Sequence, residues 1–261
     1  MSIGALIIGD EILSGKRPDK HLAHVVATLA ARGLKLAWAR YLGDDRQRIT
    51  ATLAGTFASR DIVFSFGGIG ATPDDHTRQA AAAALGRPLV PHPEAVREIE
   101  AQFGTAAYPH RVLMAEFPEG AAIIPNPVNR VPGFSVGDHH FLPGFPQMAW
   151  PMLDWLLAGR YAGLAAPAEG EAAIVVHDAG ESQLLPLMRD NVARFPELTL
   201  FSLPSLLPDG GRRLELGVRG DPQRVPAALA HLRDGVDALG FRWEAAAPSE
   251  PARRPGNARC A

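Results

Sequence analysis

The chain has 261 residues, of which 47% are hydrophobic and 21% are charged, with a formal net charge of -2. These proportions are those of a folded globular protein, and the length favours two domains over one. The nearly neutral charge gives no support to a phosphate-backbone partner, so we expect no nucleic-acid binding. The single cysteine, Cys260, excludes a disulfide framework and a cysteine-ligated metal site.

No segment of the sequence has the pattern of a leader peptide or a membrane span. Met1 is followed by a short apolar stretch without a basic flank or a cleavage site, and no later apolar run is long enough to cross a bilayer. We therefore expect a cytoplasmic protein without membrane contact.

The first part of the chain alternates apolar runs with helical patterns. Residues 3–8 are all apolar or glycine, which predicts a strand buried on both faces of a sheet. A polar loop follows, and the next predicted elements are a helix at 19–33, a strand at 34–42, a helix at 46–59 and a strand at 61–66. Strands and helices at this spacing predict a parallel sheet with right-handed crossovers.

The remaining pattern predicts the end of this domain and a second one. Further helices are predicted at 74–85, 93–103, 109–116 and 147–157, with short strands within 121–146. After a linker at 162–170, the order becomes β-α-β-β-α-β, which is typical of a ferredoxin-like unit. The predicted domains are residues 1–161 and 171–244, followed by a disordered tail at 245–261.

The sharpest motif is the glycine-rich loop, residues 67–77, with the sequence GGIGATPDDHT. It lies between a buried strand and a helix, where open α/β sheets bind ligands. Its three glycines would let backbone N–H groups approach a phosphate, next to the favourable N-terminus of the following helix. A tight turn capped by one of the two aspartates explains the same residues without a ligand. The loop matches neither a P-loop nor a dinucleotide fingerprint.

Acidic residues are predicted at the same edge of the sheet. Asp44 follows the second strand, and Asp74 and Asp75 lie in the glycine-rich loop. Two aspartates beside a phosphate would repel it unless a cation lies between them, so we expect a divalent metal (Mg²⁺, Mn²⁺ or Co²⁺) at Asp75 and Asp74. Such a metal could stabilise charge during attack on a phosphoanhydride. Helix capping is the alternative role of these carboxylates.

Two adjacent histidines, His139 and His140, lie in a predicted strand. Neighbouring strand residues point to opposite faces, so the two side chains are poorly placed to bind one metal ion. We interpret both as structural residues.

Several segments together resemble the molybdenum-cofactor-biosynthesis (MoCF) domain, in the version found in CinA-like competence/damage-inducible proteins. These segments are residues 9–15 with Asp19, 43–45, the glycine-rich loop, 126–127, 132–134 and 142–146. The ferredoxin-like unit resembles the middle domain of the same proteins. The resemblance does not extend to their C-terminal amidohydrolase domain, so it does not imply deamidation of a pyridine nucleotide.

The resemblance implies a three-layer α/β/α domain with a mostly parallel sheet, similar to MogA, and two alternative functions. One is a metal-dependent pyrophosphatase acting on ADP-ribose-type substrates, with Asp75 and Asp44 as catalytic carboxylates. The other is a molybdopterin-binding protein without hydrolytic activity. The candidate ligand-binding residues are Gly67, Gly68, Gly70, Thr72, Thr77, Asp10, Glu11, Ser14, Asn126, Pro143 and Gly144.

The predicted partner is accordingly a phosphorylated small molecule, either an ADP-ribose-like nucleotide or molybdopterin. We also expect a homo-oligomer. A ferredoxin-like sheet has exposed faces and edges, and the second domain would therefore suit protein interaction or dimerisation.

Overall fold

A computed structural model of the chain describes residues 2–164, 169–207 and 210–246. Its Cα positions divide into two compact units, Met1–Ala166 and Pro167–Ala261. From residue 247 onward, the tail that was predicted to be disordered lies outside the described residues. The beginning of that predicted segment is ordered, because residue 245 ends a strand of the second unit.

The first unit contains eight strands and six α-helices among its described residues. The strands are β1 (Ile3–Ile8), β2 (Trp38–Leu42), β3 (Ile62–Phe66), β4 (Leu89–Pro91), β5 (Glu116–Pro118), β6 (Ala122–Ile124), β7 (Gly133–Val136) and β8 (His139–Leu142). The helices are α1 (Asp10–Leu13), α2 (His21–Ala30), α3 (Arg46–Phe57), α4 (Thr77–Leu85), α5 (Pro93–Phe103) and α6 (Pro146–Ala158). Short 3₁₀ helices occur at Gly104–Ala107, Arg111–Ala115 and Ala162–Leu164.

Six of these strands form the central sheet, in the order β2-β1-β3-β8-β7-β6. The first four are parallel to one another, and β7 is antiparallel to both of its neighbours. Every residue of β1 and β3 is buried, as the continuous apolar runs predicted. The predicted α/β/α architecture with a mostly parallel sheet is confirmed.

The helices that follow neighbouring parallel strands pack on opposite faces of this sheet. Helices α3 and α4, which follow β2 and β3, pack in one hydrophobic cluster through Ile49, Leu53 and Ala80. Helices α2 and α6, which follow β1 and β8, pack in the other through Val25, Leu29 and Leu153. Where adjacent connections diverge in this way, a crevice opens at the carboxyl ends of the strands, and open α/β sheets bind ligands there.

Some element boundaries differ from the sequence prediction. The helix expected at 74–85 begins only at Thr77, because the preceding residues close a turn in which the Asp75 N–H donates to the Thr72 carbonyl. The segment expected to be helical at 109–116 is a 3₁₀ helix over Arg111–Ala115. The loop after β1 contains the one-turn helix α1.

Both histidines of β8 are buried, as the prediction of a structural role requires. His140 is fully buried, and its ring nitrogens bond to the Ser135 hydroxyl at 2.8 Å and to the Tyr161 hydroxyl at 2.6 Å. His139 points to the other face and lies against the ring of Phe57, with 4.2 Å between ring centroids. Burial lowers the pKa of His139 to about 4 and that of His140 to about 3.

The second unit has the predicted β-α-β-β-α-β order. Its elements are β9 (Gly170–His177), α7 (Glu181–Arg194), β10 (Thr199–Leu206), β11 (Arg212–Gly220), α8 (Val225–Ala238) and β12 (Trp243–Ala245). The sheet is antiparallel throughout, in the order β10-β11-β9-β12, and both helices pack on one face of it. The expected homo-oligomer stays a prediction. No helix in the described ranges of either unit has the length and apolarity needed to cross a membrane.

Candidate functional site

The crevice of the first unit is lined by glycines that follow its parallel strands. The Gly9 N–H donates to the Leu42 carbonyl at 3.0 Å, which ties the end of β1 to the end of β2. A Cβ atom on Gly67 would lie 2.1 Å from the Ile8 carbonyl oxygen, and one on Gly144 would lie 3.4 Å from the Gly67 Cα atom. The ends of β1, β3 and β8 are therefore packed backbone against backbone, which only glycine allows at position 67.

The glycine-rich loop turns sharply after β3, with positive φ angles of 103° at Gly67 and 68° at Gly68. Thr77 braces this turn from inside, because its hydroxyl donates to the Gly67 carbonyl at 3.0 Å and its N–H donates to the Gly68 carbonyl at 2.9 Å. Thr77 is fully buried. The structure therefore places this candidate ligand residue beneath the loop, as a support for the two glycines.

The second half of the loop is organised by Asp75. Its Oδ2 atom accepts a hydrogen bond from the Thr72 N–H at 2.9 Å and another from the Thr72 hydroxyl. A Cβ atom on Gly70 would lie 2.4 Å from the same oxygen. Asp75 is half-buried, whereas Asp74 is exposed. One carboxylate oxygen of Asp75 thus has a structural task in the turn, and the other accepts no hydrogen bond from a described residue.

Asp10 and Asp44 meet across the ends of β1 and β2. The Asp10 N–H donates to an oxygen of the Asp44 carboxylate at 2.9 Å, and the Asp44 N–H donates to an oxygen of the Asp10 carboxylate at 3.2 Å. Burial raises the pKa of Asp44, and the negative charges of Asp10, Glu11 and Asp74 raise it further. The structure therefore brings carboxylates from three separate loops together.

These carboxylates do not form a complete metal site by themselves. Among the described residues, no group of three histidine, cysteine, aspartate or glutamate side chains is arranged to hold a metal ion. Asp45, next to Asp44, caps α3: its carboxylate accepts the Arg48 N–H at 2.9 Å. The hydrogen bond from Arg48 lowers the pKa of Asp45.

The N-terminus of α4 lies directly after the glycine-rich loop and has no side-chain cap. The first N–H groups of a helix lack intrahelical partners and carry partial positive charge, which favours an anion. In contrast, the start of α2 is satisfied by Asp19, which accepts the N–H groups of His21 at 2.7 Å and Leu22 at 3.1 Å. Helix α4, beside the glycines, thus lacks a side-chain cap, as does α6 after Gly144; the first N–H of α4, that of Thr77, donates to the Gly68 carbonyl.

Sequence reasoning missed Arg78, whose buried side chain donates hydrogen bonds that support the glycine-rich loop. Its side chain is buried, and its guanidinium donates to the carbonyl oxygens of Gly70 at 2.6 Å, of Glu116 at 3.2 Å and of Leu113. Burial lowers the pKa of Arg78. An arginine in the first turn of a helix gives no sequence signal for this role, since such positions are normally exposed.

Sequence reasoning also missed His21 at the start of α2. The ring is buried and stacks on Phe66 at 4.5 Å between centroids, and its Nε2 donates to the Gly144 carbonyl at 3.0 Å. The carbonyl can only accept, so the Nε2 atom carries the hydrogen. Burial lowers the pKa of His21, which fits a neutral ring. His21 thereby fixes the turn after β8 against the start of α2.

The other candidate residues are distributed unevenly. Glu11 and Pro143 are half-buried at the crevice, and Ser14 is exposed at the end of α1. Asn126 lies at the end of β6, three strand spacings or roughly 14 Å from β3. Its side chain is buried and organises its own turn through the Val128 N–H at 3.0 Å and the Val131 carbonyl at 2.9 Å. Asn126 thus lies apart from the glycines along the sheet, and the ligand-binding role of Ser14 stays a prediction.

Comparison with known proteins identifies the family of the first unit. A family model described as "Probable molybdopterin binding domain" matches residues 4–162, more than half of the chain. The chain belongs to this MoCF family. The matched segment contains all but the first residue of the central sheet of the first unit, so the glycine-rich loop lies within the MoCF domain.

Individual relatives of the MoCF domain are CinA-like proteins. A CinA-like protein of Syntrophotalea carbinolica is 34% identical over 160 residues, covering 59% of this chain and 39% of that protein. A protein of Lacticaseibacillus paracasei described as competence-damage inducible is 32% identical over 209 residues, covering 77% of this chain and 51% of that protein. The chain therefore spans only about two fifths to one half of the length of these relatives.

Among solved structures, the crystal structure of a CinA protein of unknown function from Thermoplasma acidophilum matches with a TM-score of 0.56 and 28% identity. The match covers 60% of this chain and 98% of that chain. The resemblance to the CinA-like version of the MoCF domain, which the ordered motifs indicated, is confirmed.

Proposed function

We propose that the MoCF domain of this chain binds a phosphorylated pterin- or nucleotide-like molecule in the crevice at the carboxyl end of its sheet. The phosphate would lie at residues 67–70 and at the N-terminus of α4. The observation that carries the proposal is the pairing of two left-handed glycines with the uncapped helix that follows them. Backbone N–H groups and the helix dipole favour an anion at such a position without any basic side chain.

A divalent metal is part of the proposal, because the carboxylates of the crevice repel one another. The raised pKa of Asp44 reflects both its burial and the negative charges around it, and a cation would relieve that repulsion. Mg²⁺ commonly uses one or two carboxylates together with substrate phosphates, so a complete protein cage is not required. Asp44, Asp74 and the free oxygen of Asp75 would hold the ion once the ligand supplies its phosphate oxygens.

We further propose that the bound molecule is hydrolysed at a phosphoanhydride, as in ADP-ribose. A divalent cation in the crevice would withdraw charge from the phosphoryl oxygens. The water oxygen would bond to one phosphorus while the bridging P–O bond breaks and its electron pair stays on the departing phosphate. Asp44 would act as the general base that accepts the proton of that water.

A second candidate function is molybdopterin binding without hydrolysis. Two observations favour it: one oxygen of Asp75 is already engaged by Thr72, and the described residues contain no preformed three-ligand metal site. The description of the matching family model also refers to molybdopterin binding alone. Under this alternative, the glycine-rich loop would hold the ligand phosphate and the carboxylates would bind polar groups of the pterin.

One assay separates the two functions: AMP release from ADP-ribose, with Mg²⁺, Mn²⁺ or Co²⁺ supplied in turn. Metal-dependent release that is lost in Asp75→Asn, with circular dichroism unchanged, would support the pyrophosphatase. Asp45→Asn is the matched control, because it makes the same chemical change on an exposed cap of α3. No release with any metal from a folded sample, together with a copurified fluorescent pterin, would favour the molybdopterin-binding protein.

A further inference from the structure

One large aromatic side chain at the crevice has no structural explanation. Phe145 follows the contact between Gly144 and Gly67, and 55% of it is exposed. Neither of the two hydrophobic clusters described for the first unit includes its ring. Other large apolar residues are exposed too, among them Leu13 of α1, but Phe145 is aromatic and directly follows a glycine that touches the glycine-rich loop.

The backbone that carries Phe145 is held in place on every side. The Leu142 carbonyl accepts the Gly67 N–H at 3.0 Å, and the Gly144 carbonyl accepts the Nε2 hydrogen of His21 at 3.0 Å. The Phe145 carbonyl accepts the first two hydrogen bonds of α6, and Pro143 and Pro146 restrict the residues on either side. The exposed ring is therefore presented from a rigid turn.

The backbone of Phe145 lies close to the proposed phosphate position. A Cβ atom on Gly144 would lie 3.4 Å from the Gly67 Cα atom. Adding one Cα–Cβ bond and one Cα–Cα step places the Cα atom of Phe145 within about 9 Å of the Gly67 Cα atom. A phosphate on the glycine-rich loop would place a planar ring joined to it by a short sugar or side chain within reach of Phe145. An aromatic face is a favourable platform for such a ring, whatever its hydrogen-bonding pattern.

Resting on the proposed function, we infer that Phe145 is a specificity-determining residue that stacks on the heteroaromatic ring of the ligand, whether pterin or purine. The strand order then fixes the direction in which the ligand lies. Phe145 is at the β8 end of the crevice, and Asp44 is at the β2 end, with β1 and β3 between them. The ring is at β8, the first phosphate is on the glycine-rich loop at β3, and any second phosphate extends towards Asp10 and Asp44.

Stacking on Phe145 would select one class of substrate. Molecules with a flat ring close to a phosphate should bind, and the same phosphate without a ring should bind much more weakly. A ligand that carries a pyrophosphate would have its scissile anhydride beside the carboxylates and its ring-bearing half beside Phe145. Of ADP-ribose, the AMP half would then be the part held by Phe145.

The test is calorimetric binding of three probes: AMP, neopterin monophosphate and ribose 5-phosphate. Phe145→Ala should weaken binding of the preferred ring-bearing probe roughly 5- to 100-fold, the range that loss of one stacking platform gives. Binding of ribose 5-phosphate should change less than about twofold, since stacking does not contribute to it. Phe145→Tyr should bind the ring-bearing probe about as tightly as the wild type, because tyrosine keeps the aromatic face.

The control variant is Leu203→Ala, which truncates a comparably exposed side chain (57%) in the second unit. Unchanged binding of both ring-bearing probes by Phe145→Ala would overturn the inference while leaving the phosphate site intact. An equal loss for all three probes would overturn it as well, by pointing to a damaged loop. If the wild-type chain binds none of the probes, the proposed function fails, and the inference fails with it.

Discussion

Asp10 and Asp44 each donate the backbone N–H to the carboxylate of the other, at 2.9 and 3.2 Å. The two residues are 34 positions apart and lie at the ends of adjacent parallel strands. The exchange satisfies two N–H groups at the strand ends and places two negative charges beside each other. The pKa of Asp44 is raised as a result, because burial and the neighbouring carboxylates both disfavour its charged form.

Removing that charge should therefore stabilise the fold. A carboxyl whose pKa is raised in the folded state destabilises the protein above that pKa, and the cost disappears as the pH falls through it. Asp44→Asn keeps an oxygen that can accept the Asp10 N–H. We expect an increase in stability at pH 7 of less than about 1 kcal/mol, since Asp44 is only half-buried and solvent screens its charge. The gain should vanish near pH 3. Thermal unfolding at both pH values measures it.

The neighbouring residue provides a control of opposite sign. The hydrogen bond from Arg48 lowers the pKa of Asp45, so its charged form is favoured by folding. Asp45→Asn should therefore lower the melting temperature at pH 7. If Asp44→Asn also lowered it, the repulsion among the carboxylates would not be the dominant effect at Asp44.

A second prediction concerns the close packing at Gly67. Gly67→Ala combines an unfavourable positive φ with a Cβ atom 2.1 Å from the Ile8 carbonyl oxygen. We expect it to lower the free energy of unfolding by roughly 3 kcal/mol or more, as expected when backbone strain and a backbone clash act together. Urea unfolding monitored by circular dichroism measures the change.

Gly86→Ala is the matched control for that experiment. Gly86 ends α4 with a φ of 63°, but a Cβ atom there would meet nothing within 4 Å. This substitution should lower the free energy of unfolding by about 1 to 2 kcal/mol, which is the strain of the left-handed backbone conformation alone. Equal costs for the two variants would mean that the contact between β1 and the glycine-rich loop relaxes freely.

The order of elements could be predicted because its signals are local. Continuous apolar runs predict strands buried on both faces, and the glycine-rich loop is recognisable between such a strand and a helix whatever their packing. In the second unit, the alternation of strands and helices was sufficient to predict the topology. The start of α4 was misplaced because Asp74 and Asp75 have the composition of a first helical turn, while Thr72 draws Asp75 into the preceding turn.

The parts of the site that could not be predicted depend on contacts between distant residues. The pattern does not show that Arg78 reaches Leu113 and Glu116, or that His21 bonds to Gly144, 123 residues away. The resemblance grouped Asn126 with the ligand-binding residues, but the sheet order separates it from β3 by two strands. Whether Asn126 touches a long ligand stays a prediction.

A third prediction follows from the burial of Arg78. Lysine has a single point charge in place of the planar fork and cannot reach all three carbonyl oxygens together. Arg78→Lys should therefore lower the free energy of unfolding by about 2 to 4 kcal/mol, because carbonyl groups lose hydrogen bonds to a charged donor. Binding of phosphorylated probes should weaken as well, since the Gly70 carbonyl loses its anchor. Urea unfolding and calorimetry measure the two effects.

Arg87→Lys is the corresponding control for Arg78. Arg87 is exposed, and among the described residues its guanidinium donates to one carbonyl, that of Glu119, at 3.0 Å. Its replacement should change stability by less than about 0.5 kcal/mol, as is usual for surface substitutions. If Arg78→Lys had an equally small effect, the guanidinium would not be the element that supports the glycine-rich loop.

The last prediction concerns acid stability and His139. Its Nε2 atom is buried without a hydrogen-bond partner among the described groups, and burial lowers its pKa to about 4. The unfolded chain protonates this histidine near pH 6.5 and the folded chain only near pH 4, so stability falls as the pH drops through that window. His139→Phe removes the titrating group and keeps a ring against Phe57.

We therefore expect His139→Phe to be more stabilising at pH 5 than at pH 7.5, by roughly 1 to 2 kcal/mol. His139→Leu should show the same difference between the two pH values even if the larger ring of phenylalanine strains the core. Urea unfolding at both pH values decides the matter, because a pH-independent effect in both His139 variants would show that protonation of His139 does not limit acid stability.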